Sequence, residues 1–313
     1  MSESIKELLQ GIAVLEPSAA HGLQVFGLRR EPSPVTLEYL TLDEALEKKL
    51  AEVTEVSEGG SVPVLKVVNR ANEMLFLLAG EQLIGAKQNR VLNASIMVAA
   101  NTELPVPVSC VEQGRWSYRT KQFGTSGTAT HHSLRKMMHR ETATSLEKSG
   151  AFDANQGAVW SEVSRKLARH GSRSASAALE QVYLDHQKDL ASLLKQLPVP
   201  EGCVGAVFAF GGRIAGLEMF DQPKTLARLW SKLIRSYAID ALEANQPDKK
   251  VTRKDVEKWL NAAQQLKAKT YKSPGLGDDI RVEGKEMTGA TLVVEKQPVH
   301  VELFADAPMP GKA

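Results

Sequence analysis

Between Val62 and Glu112 the chain carries four short apolar runs in close succession: VPVLKVV, MLFLLAG, NRVLNASIMVA and LPVPVSCVE. The connections are too short for the crossover that joins parallel strands, so antiparallel pairing is expected. No other feature narrows the choice of folds as much. Upstream, LQVFGL and VTLEYL read as strands bounded by Gly and Pro. TLDEALEKKL reads as a short helix, with Thr41 as N-cap and Glu44 three residues on, a capping box. Pro105 and Pro107 lie two apart, so their missing N–H groups fall on one side of a strand. That suits a sheet edge.

From His131 to Leu197 the pattern turns helical: HSLRKMMHRETATSLEK, QGAVWSEVSRKLARHG and SAALEQVYLDHQKDLASLLKQL, parted by Gly and Ser. Val159, Val163 and Leu167 recur at helical spacing as an apolar stripe. CVGAVFAF and RIAGLEMF follow, and Gly211-Gly212 between them predicts a hairpin. Asp221 is expected to cap a long helix with Pro223 in its first turn. Arg228, Lys232 and Arg235 on that helix read as a solvated ridge opposite its apolar stripe. Thr252, with Asp255 three residues later, opens a further helix. DIRVEGKEM, ATLVVE and PVHVELF return to strands, with Thr288-Gly289 as a turn. The expected class is α+β, mainly antiparallel sheet with a central block of helices. One domain is expected over residues 1–304: strand-rich 10–118, helical 128–197, and a strand and helix closing part 203–304. Residues 305–313 read as a flexible tail.

The two cysteines, Cys110 and Cys203, are too few for a zinc ribbon. MSESIKELLQ has no basic segment followed by an apolar one, which predicts a cytoplasmic protein without a disulfide. No apolar run approaches the ~20 residues of a membrane span. Charge is segregated: between Gln113 and Leu179 eleven Lys/Arg face four acids, leaving +7 there and −5 on the rest of a chain of net charge +2. Either this is a surface that attracts anions, or acids elsewhere in the fold balance it.

GEQLIGAKQNR sets polar residues between two apolar runs. If residues 86 to 92 are extended, Lys87 and Asn89 face one way and Gln88 and Arg90 the other. A two-sided polar stretch fits a core only when every group is paired, so it reads as the wall of a site or as an exposed hairpin end. Gly80 and Gly85 would let a ligand or another backbone approach closely. In PVSCVEQGRWSYR, Arg115 offers a planar fork for phosphate or carboxylate and Trp116 a flat face for a base or sugar. Cys110 is a small buried hydrophobe, or a nucleophile if Arg115 and a histidine from 131–139 activate it. FGTSGTATHHS runs from a small-residue loop into a helix start and could hold an anion. No Gly-Lys-Ser/Thr follows, so it is not a Walker loop. His132 and His139 are seven apart and lack a third ligand, so no metal and no cofactor is expected.

Together these residues predict a basic pocket for a phosphorylated small molecule. Lys87, Arg90 and Arg115 would neutralise phosphate. Gln88 and Asn89 would bond ribose or base, with Ser109 and Gln156 beside them, and Trp116 would stack. If the ligand is hydrolysed, Glu81 or Glu112 is the candidate general base. Two other readings stay open. In one, the basic helical block docks an acidic partner. In the other, the polar motifs form an internal hydrogen-bonded network. The sequence shows no helix-turn-helix, zinc-finger or aromatic RNA-binding signature, which argues against nucleic acid.

GEQLIGAKQNRVLNASIMV, PVSCVEQGRWSY, NQGAVWSEVSRKLA and GAVFAFGGRIAGLEMFD followed by LIRSYAIDALE resemble a family of uncharacterised proteins. That family is named for association with ADP-ribosylglycohydrolase and rhodanese-phosphatase-like proteins. The resemblance runs from about residue 10 to 304. It implies a link to ADP-ribose, NAD or phosphoester metabolism and assigns no catalytic residue. The residues here that match its motifs are Glu81, Gln82, Lys87, Gln88, Asn89, Arg90, Ser109, Cys110, Glu112, Arg115, Trp116, Gln156 and Trp160. The resemblance is weaker over THHSLRKMMHR, which leaves the paired histidines without an implied role.

Overall fold

Along Val64–Asn69 the side chains of Leu65, Val67 and Asn69 are buried and those between them half-buried, the two-residue period of a strand with one covered face. Strands of this kind fill both ends of the chain, and helices occupy the middle. The computed structural model describes residues 9–31, 37–244 and 250–306. Up to Ala129 the strands are β1 (Ala13–Val14), β2 (Ser18–Ala20), β3 (Leu23–Arg29), β4 (Tyr39–Thr41), β5 (Ala51–Glu55), β6 (Val64–Asn69), β7 (Met74–Leu77), β8 (Glu81–Gly85), β9 (Arg90–Leu92), β10 (Ile96–Val98), β11 (Thr102–Cys110) and β12 (Phe123–Ala129). Helix α1 (Leu42–Glu47) lies among them. Helices α2 (His132–Ser149), α3 (Gln156–His170), α4 (Glu180–Asp185) and α5 (Gln187–Gln196) follow. Then come β13 (Gly205–Phe210), β14 (Arg213–Phe220), α6 (Pro223–Glu243), α7 (Arg253–Ala263), β15 (Lys267–Lys272), β16 (Asp278–Glu283), β17 (Met287–Val294) and β18 (Gln297–Ala305).

The strands make a nine-stranded sheet (β1-β3-β13-β14-β18-β17-β16-β15, with β2 on β3), a six-stranded sheet (β12-β8-β9-β11-β6-β5) and a three-stranded one (β10-β7-β4). The fold is α+β. Among the described residues every strand pairing is antiparallel except β4 with β7, and the chain between those two is long enough for a crossover. In the large sheet Ala206 and Phe208 of β13 enter one core while Val207 and Ala209 enter another, so both faces are covered. This explains why CVGAVFAF reads as a continuous apolar run. Phe208 stacks on Tyr237 of α6, with ring centroids 4.0 Å apart. A fully buried phenylalanine of this kind contributes roughly 1.5–3 kcal/mol.

Several local expectations hold for visible reasons. The α1 capping box joins Thr41 and Glu44, and Thr252 with Asp255 caps α7 in the same way. Gly211 and Gly212 both take positive φ, the requirement of the two-residue hairpin turn between β13 and β14. Val159, Val163 and Leu167 form the buried stripe of α3.

Others are corrected. VTLEYL is a strand only from Tyr39, and residues 32–36 lie outside the described ones. The N-cap of α6 is Gln222, not Asp221. The Asp221 carboxylate instead accepts from Tyr39 Oη and, at 2.9 Å, from Gln222 Nε2. Lys232 is buried against Glu81 and Asp43 rather than solvated. SAALEQVYLDHQKDLASLLKQL breaks at His186 into two helices. β11 lies inside its sheet, yet its proline half, Thr102–Pro107, pairs with β6 alone and its far half, Val108–Cys110, with β9. The prolines thus sit where one side of the strand is unpaired, an edge within an interior strand.

The predicted Thr288-Gly289 turn is in fact part of β17. Gly289 is needed there because a Cβ would lie 2.2 Å from the Glu302 carbonyl oxygen. Gly289→Ala is expected to cost about 1–3 kcal/mol in urea unfolding, whereas a turn glycine in open space would tolerate it. Of the expected tail, Ala305 ends β18. The Asp306 carboxylate pairs with Lys136 at 2.9 Å and with Arg140. Residues 307–313 lie outside the described ones. Among the described residues no helix is long and apolar enough to cross a membrane.

The charge asymmetry is met in part inside the fold. Arg135 of the basic block meets Glu218 at 2.6 Å and Glu302 at 3.0 Å. Lys166 meets Asp240, and Glu243 at 2.6 Å. Arg165 reaches Glu243 at 3.9 Å, and Arg115 meets Glu112 at 2.6 Å. Much of the block therefore spends its charge on acids of this chain.

Candidate functional site

GEQLIGAKQNR folds as a hairpin. Residues Glu81–Gly85 are β8, Arg90–Leu92 begin the return strand β9, and Ala86 to Asn89 make the turn, with positive φ at Gly85 and Ala86. The turn is folded inward: Gln88, Asn89 and Arg90 are buried. The close approaches expected at the two glycines are made by this chain. A Cβ on Gly80 would lie 2.7 Å from Cγ and Cδ of Arg135, and one on Gly85 would lie 2.4 Å from Thr120 Oγ1.

The polar side chains of the two motifs meet one another. Arg90 Nη1 donates to Gln88 Oε1 at 2.6 Å and to Cys110 Sγ at 2.8 Å. Its Nη2 lies 3.9 Å from Glu55, which is also buried. Glu112 accepts the Asn89 backbone N–H at 3.0 Å and a two-pronged contact from Arg115, 2.9 Å from Nε and 2.6 Å from Nη2. Burial works against the Glu112 charge, but Arg115, Ser176 and the Asn89 N–H outweigh it and hold the carboxyl below its usual range. Arg115 Nη1 also donates to the carbonyl of Ala86 at 2.6 Å, so its fork is occupied. Ser109 Oγ donates to Asn93 Oδ1 at 2.9 Å. Gln156 acts as a strand edge, accepting the Cys110 N–H at 2.7 Å and donating to the Cys110 carbonyl at 2.9 Å.

Glu81 is buried apart from this group and pairs with Lys232. Burial pushes the Cys110 thiol up to about 11, with Arg90 pulling the other way. A nucleophilic thiolate needs the opposite balance. At the surface, Trp116 is 46% exposed. Lys87 lies over its ring at 5.6 Å and over Tyr118 at 5.0 Å, and donates to the Gly59 carbonyl at 2.8 Å. The structure thus brings Lys87, Gln88, Asn89, Arg90, Ser109, Cys110, Glu112, Arg115, Trp116 and Gln156 into one neighbourhood and leaves Glu81 in another. The cavities described below are lined by other residues.

A cavity of about 760 Å³ opens where the first turn of α2 meets α3 and the end of α6. His132, Ser133, Arg165, Arg169, Phe210, Asp240 and Glu243 supply its chemistry. Its size falls within the range of small-molecule sites. Two carboxylates make the floor. Asp240 accepts the Ser133 N–H at 2.7 Å and the Ser133 hydroxyl at 3.0 Å. Lys166, fully buried beneath, donates to Asp240 and to Glu243. Burial opposes the Asp240 charge, but His132, His131 and Lys166 hold its carboxyl well below the usual range. His132 Nε2 lies 2.9 Å from the Ala215 carbonyl, which only accepts, so that nitrogen carries the proton and Nδ1 faces Asp240 at 3.7 Å. Above the floor, α3 sets Arg165 and Arg169 one turn apart at the rim. Arg165 is engaged by Glu162. Arg169 is exposed and meets no carboxylate among the described residues. Phe210 stands at the edge, 5.7 Å from the His132 ring. A larger groove of about 1040 Å³ runs beside β15; along it Arg140 is matched by Asp306, Lys269 by Glu147 and Arg281 by Asp279, while Lys267 and Lys285 meet no carboxylate among the described residues.

Sequence reasoning did not find this site. One signal was available: Asp240 interrupts the apolar run of α6, between Ile239 and Ala241. A charge there needs a buried partner, and Lys166 is that partner.

Comparison with curated proteins and with solved structures found no match. The chain belongs to the family described as the ARG and Rhodanese-Phosphatase-superfamily-associated Protein domain, whose model matches residues 11–304.

Proposed function

For a chain of that family we propose a protein that binds a phosphorylated small molecule, a nucleotide or an ADP-ribose-like compound, in the cavity between α2, α3 and α6. The family's name, which ties it to ADP-ribosylglycohydrolase and rhodanese-phosphatase proteins, supports this class of ligand. The observation that carries the reading is the unmatched Arg169 on the rim, above carboxylates that are already paired. A phosphate would bond Arg169 and draw on the positive end of α2. Ribose hydroxyls would donate to Asp240 and Glu243, and Phe210 offers a face for the base. The hairpin and PVSCVEQGRW motifs have a structural part in this reading: they tie β8, β9 and β11 to α3, which carries both arginines.

Calorimetry with ADP-ribose, NAD and inorganic pyrophosphate tests it. Binding is expected for at least one of them. Arg169→Ala is expected to weaken it about tenfold or more, the effect of losing one charge-assisted bond, with the melting temperature unchanged. No heat from any of the three would sink the proposal. A hydrolytic step is a separate question, answered by following release of ribose or phosphate from whichever compound binds.

A further inference from the structure

Six large apolar side chains are exposed among the described residues, and four of them, Val56, Val62, Trp116 and Tyr118, belong to two loops that touch. One loop joins β5 to β6 and the other joins β11 to β12. A Cβ on Gly60 of the first would lie 3.2 Å from the Trp116 ring of the second. Tyr118 Oη donates to the Glu58 carbonyl at 3.5 Å. Apolar surface gathered in one place and rimmed by polar groups marks an interaction site, whereas single exposed side chains need no explanation.

The chain holds these rings out on a fixed base. The Ser117 N–H donates to the Lys87 carbonyl at 3.2 Å and the Arg119 N–H to that of Ala86 at 3.0 Å, so the loop is bonded to the β8–β9 turn. The Gly114 N–H donates to the Ser176 carbonyl at 2.8 Å. Arg115, clamped on Glu112, gives one nitrogen to the carbonyls of Ala86 and Ser117, at 2.6 and 2.8 Å. The buried Arg90 guanidinium lies 5.3 Å from the centre of the Trp116 ring. The polar network of the two motifs thus ends in a rigid aromatic platform. Rings already fixed lose little freedom when a partner covers them. The rim is positive. Lys87 lies over both rings. Arg119 is exposed and reaches only Glu112, at 3.8 Å, an acid already held by Arg115. Lys121 is exposed and meets no carboxylate among the described residues.

We propose that Trp116, Tyr118 and Arg119 form a docking surface for an acidic protein segment. Apolar side chains of that segment cover the two rings, and its carboxylates meet Arg119 and Lys121. Trp, Tyr and Arg are the residues that carry most of the binding energy in protein–protein contacts. Val56 and Val62 extend the apolar area with aliphatic surface, which suits protein side chains better than stacked bases. Glu58, exposed on the facing loop, repels a phosphate backbone. The surface shares no residue with the cavity between α2, α3 and α6, and the proposal holds whatever binds there.

Selection of displayed random peptides on the unmodified protein tests this. The enriched peptides are expected to be acidic, with apolar residues interleaved. A synthetic peptide of the enriched sequence is expected to bind Trp116→Ser and Arg119→Glu about tenfold or more weakly, and to bind the unmodified protein less tightly as salt is raised. Both side chains are exposed, so the melting temperatures are expected to stay unchanged; Tyr118→Ser replaces Trp116→Ser if the latter unfolds. No enrichment, enrichment of basic or uncharged peptides, or full binding by Trp116→Ser and Tyr118→Ser would overturn the proposal. Oligothymidylate binding that these substitutions abolish would overturn it in favour of single-stranded nucleic acid. A dimer in sedimentation that they dissociate would overturn it in favour of a second copy of the chain.

Discussion

Arg135→Met is expected to lower stability by roughly 3–5 kcal/mol, the cost of leaving buried charge without its partner. The guanidinium bridges Glu218 and Glu302, all three essentially excluded from solvent. It joins α2 to two strands of the large sheet, β14 and β18. Glu218 also accepts from Tyr237 Oη at 3.0 Å and meets His300 Nε2 at 3.0 Å. Removing Arg135 leaves two carboxylates facing each other in the core, and one must take up a proton or admit water. Urea unfolding measures the loss. Adding Glu218→Gln and Glu302→Gln to Arg135→Met is expected to recover part of it, because the uncompensated charge is then gone. Full tolerance of Arg135→Met alone would mean that water already reaches this network.

The second large effect is expected at Arg90. Its guanidinium is wholly buried against Gln88, Cys110 and Glu55. Arg90→Met leaves Glu55 buried without a cation and is expected to cost about 3–5 kcal/mol. The fraction that stays folded is expected to bind ADP-ribose as the unmodified protein does, since Arg90 lies away from the cavity. This separates the two roles open to the polar motifs. A ligand-binding Arg90 predicts lost affinity at unchanged stability. A structural Arg90 predicts the reverse, and measuring both on one variant decides.

The same distinction explains how much was legible in advance. The strands around residues 62–112, both capping boxes and the β13–β14 hairpin could be read because each depends on residues a few positions apart. The errors also have physical causes. Thr288-Gly289 looks like a turn because glycine is common in turns, but at position 289 glycine is demanded by a carbonyl thirteen residues away, that of Glu302. Lys232 looks solvated on a helical wheel, but Glu81 reaches it from a strand far back in the chain. The polar run at 80–90 correctly announced that something unusual is built there. Whether its side chains face a ligand or one another could not be told from the run itself. Spacing alone pairs His132 with His139 and gives Asp240 and Glu243 no partner, because the meeting of these groups with Lys166 is a pattern that only packing creates.

The order of residues alone determined what neighbours along the chain can decide: strand against helix, where helices start, and an antiparallel α+β plan, because backbone hydrogen bonding and apolar periodicity act over short separations. Which charges meet was decided only by tertiary packing. Burial makes an unpartnered charge so costly that each one is matched wherever the fold brings a partner within reach, and that distance is not written in sequence spacing.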